Sequence, residues 1–142
     1  MDDHILKALR EAGPAAFDQT PVVFAFLFGS RASGRSHRGS DVDVAVFVDP
    51  DLDPERFLDL RLALAGRLEE AAGVGPVEVV VLNEAALPVR GRAVRDGVVF
   101  YSRDEPTRVR YQSRTLREFF DFEIHARRLD QELLRGIASG RR

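Results

Sequence analysis

The sequence contains no cysteine among its 142 residues. This absence excludes disulfide bonds, thiolate zinc sites and a cysteine nucleophile, and it leaves oxygen or imidazole ligands for any bound metal. Long hydrophobic runs are also absent, because the longest, Val22 to Phe28, is far shorter than the ~20 residues that cross a bilayer. The N-terminal residues lack the basic segment that begins a signal peptide. We therefore expect a cytoplasmic protein without a membrane segment.

Neither sign of charge is in excess, since 21 lysines and arginines oppose 23 aspartates and glutamates for a formal net charge of -2. This balance gives no overall attraction to nucleic acid or to an anionic membrane, and we expect no direct nucleic-acid binding. Hydrophobic residues make up 44% of the chain and charged residues 31%, as in ordinary globular domains. No linker is evident, so we predict one domain over residues 1–142, with a core at about 15–102 and a C-terminal helix at about 105–138.

The order of hydrophobic patterns predicts an α/β (α+β) fold, in which a small mixed sheet carries flanking helices. We predict strands at 22–28, 41–48, 77–82 and 98–101, and helices at 4–12, 53–72, 83–95 and 105–137. The first helix is expected to stop at Gly13-Pro14, because these residues commonly end helices. Asn83-Glu84 is expected to cap the third helix.

Two aspartates lie on one face of the second predicted strand. Valines alternate from Val42 to Val48, which places Asp41 and Asp43 on the opposite face, about 7 Å apart at Cα. An isolated Asp-x-Asp pair is more often a solvated face of a sheet than a functional site. Three further features favour a shared divalent cation.

The first feature is Gly29-Ser30, directly after a buried strand, where glycine lets a ligand approach the backbone and the amides of the turn can bind an anion. The second is the spacing, because ten residues between Ser30 and Asp41 allow the chain to return on a neighbouring strand. The third is Glu78, the one charged residue in the third predicted strand. If partly buried, this carboxylate needs a cation or a hydrogen-bond partner.

Three carboxylates form a suitable ligand set for Mg²⁺, which prefers oxygen. Two ions held by them would position a nucleoside triphosphate, neutralise charge on its α-phosphate and activate an attacking hydroxyl. Glu78 is predicted to act as metal ligand, general base or both. Ser30 is predicted to bind phosphate rather than to act as a nucleophile, because no histidine and aspartate complete a triad.

These residues resemble the signature of the DNA polymerase β-like nucleotidyltransferases. The resemblance rests on Gly29-Ser30, ten residues, then Asp41-Val42-Asp43, within Phe-Leu-Phe-Gly-Ser-Arg-Ala-Ser-Gly and Gly-Ser-Asp-Val-Asp-Val-Ala-Val. Segments 77–83 and 95–101 are also similar to that superfamily, so the likeness covers almost the whole chain. In length the chain resembles the minimal nucleotidyltransferase (MNT, MntA-like) antitoxins.

The resemblance implies an αβ core that binds Mg²⁺ through the three carboxylates and ATP phosphates through the turn. The residues expected at the site are Asp41, Asp43 and Glu78 for the metal, and Gly29, Ser30, Arg31 and Ser40 for the nucleotide. Proteins of this kind are typically antitoxins of HEPN-domain ribonuclease toxins, and active members transfer AMP from ATP to a tyrosine of the toxin. In one respect the chain departs from the pattern, because the third acidic position is often aspartate and here is glutamate.

Three functions remain open. The first is an antitoxin of type II or VII that transfers AMP to a HEPN toxin, and the second is a catalytically weak antitoxin that neutralises its toxin by stoichiometric binding. The third is transfer to a small hydroxylated acceptor such as an aminoglycoside, for which 142 residues leave little room. Arginines of the C-terminal helix offer contacts to an acidic partner, and both a homo-oligomer and a hetero-oligomer are compatible with the sequence.

Overall fold

The computed structural model describes residues 3–29 and 41–138. The helices are α1 (Asp3–Phe17), α2 (Phe57–Ala72), α3 (Leu87–Asp96) and α4 (Glu105–Ala138), and the strands are β1 (Val22–Phe28), β2 (Val42–Val48), β3 (Val77–Val81) and β4 (Val98–Ser102). Each strand lies within one residue of its predicted bounds. The predicted fold class, a mixed sheet with flanking helices and a long C-terminal helix, is confirmed.

The sheet has the strand order β3-β2-β1-β4. Strand β1 is antiparallel to both β2 and β4, whereas β3 runs parallel to β2. Because β1 and β2 are antiparallel, the end of β1 and the beginning of β2 lie at the same edge of the sheet. Phe28 pairs with Asp43 there, so the turn at Gly29 begins beside the two aspartates.

Helices cover both faces of the sheet. The alternating valines of β2, from Val42 to Val48, are buried against α1 and α2, as their spacing predicted. On the other face, Phe24, Phe26 and Ala45 pack with residues of α3 and α4. The first residues of α2 follow a 3₁₀ turn whose cap is Asp53, which accepts a hydrogen bond from the Glu55 amide.

Helix α1 is longer than predicted, because it continues through Gly13-Pro14 to Phe17. Proline has no amide hydrogen and costs the helix one hydrogen bond. Burial of the last turn opposes this cost: Phe17 is fully buried and packs against Tyr101 with ring centroids 5.0 Å apart. Gly13 lies close to the same ring, since a Cβ there would be 3.4 Å from Tyr101.

The predicted helix at 83–95 is also corrected. Residues Leu82–Glu84 form a separate 3₁₀ turn, and α3 begins only at Leu87, with no side-chain cap. Asn83 instead bonds β2, because its amide accepts a hydrogen bond from the Val48 amide at 3.0 Å and donates one to the Val48 carbonyl at 2.9 Å. This pair of hydrogen bonds fixes the end of β3 against the end of β2.

Helices α3 and α4 lie side by side and run in the same direction. Arg90 forms an ion pair with Glu118, and Arg95 forms one with Glu123, so residue numbers rise in the same direction along both helices. Between them Gly91 faces Phe119 so closely that a Cβ at position 91 would lie 2.2 Å from the ring. No helix within the described residues is long and apolar enough to cross a membrane.

Candidate functional site

Asp43 and Glu78 lie side by side on neighbouring parallel strands. Their Cα atoms are register partners in the β2–β3 ladder, a spacing of about 4.8 Å, so both side chains emerge on the same face. Asp41 directly precedes β2 and stands two residues from Asp43. The three carboxylates predicted from the sequence are therefore brought together at one edge of the sheet.

Gly29 completes this edge. It has a φ of +74°, in the left-handed region, and a Cβ built on it would lie 2.3 Å from Oδ2 of Asp43. Real Cβ atoms do not approach an oxygen this closely, so the turn can pass the carboxylate only because the residue is glycine. The backbone after β1 thus lies against the side chain of the central aspartate.

The electrostatics of the edge centre on Asp43. Burial raises the pKa of this carboxyl above its usual range, and the charges of Glu78 and then Asp41 raise it further. Asp43 is half-buried, whereas Asp41 and Glu78 are exposed. A cation beside Asp43 would oppose this rise, because a positive charge lowers the pKa of a neighbouring carboxyl.

Glu78 differs from the sequence-based expectation in one respect. Its side chain is exposed, so burial does not require it to have a partner. Its relation to the site comes instead from register, because Glu78 pairs with Asp43 across the ladder. Among residues 3–29 and 41–138, no group of three or more His, Asp or Glu side chains is arranged so that it could hold a metal ion.

Three predicted residues of the site fall outside the described residues. Ser30, Arg31 and Ser40 were expected to contact the nucleotide, and all three lie within residues 30–40. The described part of the site is therefore Gly29 with the three carboxylates.

A cavity of about 670 Å³ lies at the opposite end of β2 from Asp43, and the sequence analysis did not predict it. Its lining includes Phe47, Tyr111, Arg110 and Arg114. The ring of Phe47 stacks on Phe24 with centroids 4.9 Å apart and contacts Tyr111 with centroids 5.1 Å apart. The sequence signal for this cavity was the pair Arg110 and Arg114, which are four residues apart and therefore lie on the same face of α4.

Comparison with known proteins identifies the fold family. The family described as polymerase beta, nucleotidyltransferase, matches residues 15–106, more than half of the chain. Spectinomycin 9-adenylyltransferase of Staphylococcus aureus is 33% identical over 67 residues, which are 45% of this chain and 26% of that protein. The chain thus matches only about a quarter of that relative's length.

Solved structures share the fold over more of the chain. A toxin–antitoxin complex with AMP-PNP contains a chain that is 22% identical, with a TM-score of 0.61, and the match covers 94% of this chain and 98% of that one. A complex of tri-AMPylated Shewanella oneidensis HEPN toxin with MNT antitoxin gives 17% identity, a TM-score of 0.61 and coverage of 94% and 99%. A putative nucleotidyltransferase from Sulfolobus solfataricus is 25% identical, with a TM-score of 0.50 and coverage of 72% and 84%.

Proposed function

The chain belongs to the polymerase β nucleotidyltransferase family, and we propose that it transfers AMP from Mg·ATP to a tyrosine hydroxyl of a HEPN-domain toxin. The observation that carries the proposal is the juxtaposition of Gly29, Asp43 and Glu78 at one edge of the sheet. In the reaction, the tyrosine oxygen bonds to the α-phosphorus while the bond from that phosphorus to the bridging oxygen breaks. Pyrophosphate leaves, and the hydroxyl proton passes to a base.

Asp41, Asp43 and Glu78 are the proposed ligands of Mg²⁺. The fit rests on the raised pKa of Asp43, which burial and its two acidic neighbours cause and which a cation would reverse. Mg²⁺, when bound, supplies positive charge at the α-phosphate and orients the triphosphate. The three carboxylates supply oxygen donors, which this ion prefers.

Each side chain at the edge has its own proposed part. Gly29 lies against Asp43, and we propose that backbone amides of the turn it begins donate to a phosphate. Ser30, Arg31 and Ser40 are proposed as further contacts to the nucleotide. Glu78 is exposed, so an acceptor hydroxyl arriving from solution can reach it, and we assign it the role of general base.

The proposed acceptor follows from the structures that share the fold. One of them is a toxin–antitoxin complex with AMP-PNP, and another holds a HEPN toxin that carries three AMP groups. Identities of 17% to 22% establish a common fold only, so the same acceptor in this chain is our inference. A protein acceptor also suits the open carboxylate edge, where Asp41 and Glu78 are both exposed.

The test is transfer of label to the protein encoded by the adjacent gene. The chain is incubated with that protein, Mg²⁺ and ATP labelled at the α-phosphate or, in a parallel reaction, at the γ-phosphate. We expect label on the partner from the α-position only, and none with the Asp41→Asn/Asp43→Asn variant. Label from the γ-position would instead indicate a kinase. No label, together with a stable complex and an inhibited partner, would indicate an antitoxin that acts by binding.

A second candidate is transfer to a small hydroxylated molecule. It is favoured by the 33% identity to spectinomycin 9-adenylyltransferase, although the match covers 26% of that protein. The same reaction with spectinomycin in place of the partner protein distinguishes the two. Label on spectinomycin that requires Asp43 would support the small-molecule acceptor.

A further inference from the structure

The cavity at the far end of β2 is separated from the carboxylate edge. Phe47, in its lining, lies on the same face of β2 as Asp43, but about 14 Å of strand lies between the two residues. Midway between them, Ala45 is fully buried in a cluster with Leu82 and Val94. The packed middle of the sheet thus divides the two places, and the cavity volume of about 670 Å³ is in the range of small-molecule sites.

Apolar side chains line the cavity from three parts of the chain. Phe47 comes from β2, Leu52 and Phe57 from the loop before α2 and its first residue, and Leu82 from the turn after β3. Phe57 and Leu82 are buried. A ring placed against these side chains leaves water, and aromatic neighbours add a favourable contact.

Large apolar side chains do not surround the cavity within the described part of the chain. Ten such side chains are exposed on the described residues, among them Leu58, Leu62 and Val109, and none of the ten belongs to the lining. A protein that docks through apolar contacts needs such residues around its anchor, because a stable interface buries about 800 Å² on each partner. The cavity therefore suits a ligand that is small enough to enter it.

Both carboxylates of the lining already have a cation beside them. Glu84 pairs with Arg61 at 3.5 Å, and Glu118 pairs with Arg90 at 3.6 Å. All four side chains are partly exposed, so the pairs contribute little to stability. Each pair nevertheless offsets the negative charge that would otherwise repel an anion from the cavity.

Two further arginines of the lining have no such neutralising partner. Arg110 and Arg114 lie on the same face of α4, and neither forms an ion pair with any described residue. Arg110 donates a hydrogen bond to Oγ1 of Thr107 at 3.2 Å. The pKa of the Asp104 carboxyl is lowered by hydrogen bonds from Thr107 and, to a smaller extent, by the charge of Arg110, but Asp104 is outside the lining. The charge that faces the cavity is therefore positive, which favours an anion.

A buried hydroxyl indicates the same kind of ligand. The hydroxyl of Tyr111 is buried and forms no hydrogen bond of normal geometry with a described residue. Burial raises the pKa of this hydroxyl, and the nearby side chains of Thr115 and Arg90, which also line the cavity, lower it in part. An unpaired buried hydroxyl is unfavourable, and an anionic oxygen in the cavity would accept its hydrogen.

We propose that this cavity is a second ligand site, which binds a small anion made of an apolar ring and a carboxylate or phosphate group. The anionic oxygens accept hydrogen bonds from the Tyr111 hydroxyl and from Arg114, and the ring lies against Phe47 and Phe57. The inference goes beyond the proposed AMP transfer, because none of these residues belongs to the carboxylate edge.

The test uses probes of similar shape and different charge. Benzoate, benzamide and benzamidine share a benzene ring and a planar group, which at neutral pH is negative, neutral and positive respectively. Acetate keeps the negative charge without the ring, and phenyl phosphate replaces the carboxylate by a phosphate. Each probe is titrated into the isotope-labelled chain, and changes in the amide NMR shifts both locate it and give its dissociation constant.

We expect benzoate to bind with a dissociation constant of about 1–10 mM, as is usual for so small a ligand. It should shift the amides of Leu82 and Tyr111 and leave those of Asp43 and Glu78 unchanged. Benzamide, benzamidine and acetate should bind at least about fivefold more weakly, because each lacks the negative charge or the ring. Phenyl phosphate that binds more tightly than benzoate would assign the site to phosphates, and weaker binding would assign it to carboxylates.

Variants test the two proposed donors separately. Tyr111→Phe removes only the hydroxyl and Arg114→Gln removes the charge, and each should weaken benzoate binding at least about threefold. Arg117→Gln is the matched control, because Arg117 is exposed on the same helix outside the lining, and it should change binding less than about twofold. Thermal melts followed by circular dichroism confirm that each variant is folded.

Several results would overturn the inference. They are equal binding of benzoate and benzamide, tighter binding of benzamidine, shifts centred on Asp43, and binding unaltered in both Tyr111→Phe and Arg114→Gln. No saturable binding of benzoate or phenyl phosphate would overturn it as well. None of these outcomes bears on AMP transfer, which is measured separately.

Discussion

A methyl group at position 29 is expected to disable the site without unfolding the chain. In Gly29→Ala the new Cβ would lie 2.3 Å from Oδ2 of Asp43, whereas ordinary van der Waals contact begins near 3.4 Å. The carboxylate must therefore retreat by about 1 Å, a displacement that can cost roughly 100-fold in rate when it occurs at a reacting centre. The positive φ of +74° adds a backbone cost of roughly 1 kcal/mol for alanine.

The assay is the initial rate of AMP transfer at saturating Mg·ATP, with thermal stability measured in parallel. Gly66→Ala is the matched control, because nothing lies within 4 Å of a Cβ at that helical position. It should leave the rate unchanged and stabilise α2 by roughly 0.5–1 kcal/mol. If Gly29→Ala transfers AMP within about twofold of the unaltered chain, the contact between the turn and Asp43 has no catalytic importance and the reasoning is wrong.

Three further predictions concern stability. Asn83→Ala removes both hydrogen bonds to Val48 and should lower the free energy of unfolding by about 1–2 kcal/mol in urea titrations, whereas an unchanged midpoint would contradict the β2–β3 connection described above. Gly91→Ala should cost about 1–3 kcal/mol because its Cβ meets the Phe119 ring, and truncating Phe119 to alanine in the same chain should remove most of that added cost in a double-mutant cycle. The pKa of the Asp43 carboxyl is raised in the folded chain. Its contribution to the free energy of unfolding is therefore fully present below the pKa of the unfolded chain and is lost as pH rises through the pKa of the folded chain. Without divalent cations, Asp43→Asn should therefore be more stable than the unaltered chain at pH 7, and the two should converge near pH 3; equal stability at both pH values would argue against the raised pKa.

Much of the fold is encoded in local patterns. The apolar run of β1 and the alternating valines of β2 predicted both strands and placed Asp41 and Asp43 on the face opposite the valines. These predictions held because the period of a strand depends only on neighbouring residues. The turn glycine at position 29 was also evident, since it directly follows a buried strand.

Tertiary contacts decided the remainder. Gly13-Pro14 reads locally as a helix end, but burial of Phe17 against β4 outweighs the lost hydrogen bond and extends α1. Asn83 reads as a helix cap, yet its amide bonds Val48, 35 residues away in sequence. No local pattern contains the identity of such distant partners.

The candidate site likewise depends partly on local sequence signals and partly on tertiary contacts. The sequence drew attention to Glu78 through its isolated charge and would have required a partner for it only if it were buried, whereas its side chain is exposed. The β2–β3 register places Glu78 beside Asp43. A slip of one residue in that register would move Glu78 to the other face of the sheet.

The most direct test of the proposed Mg·ATP site is whether ATP binding requires both a divalent cation and Asp43. Isothermal titration of ATP into the unaltered chain and into Asp43→Asn, with and without Mg²⁺, measures this without any acceptor. We expect saturable binding only for the unaltered chain with Mg²⁺, and a gain in stability of about 1.4 kcal/mol when Mg·ATP is at ten times its Kd. Equal binding of ATP by Asp43→Asn, or binding that is unaffected by removal of Mg²⁺, would contradict the assignment of this edge as the Mg·ATP site.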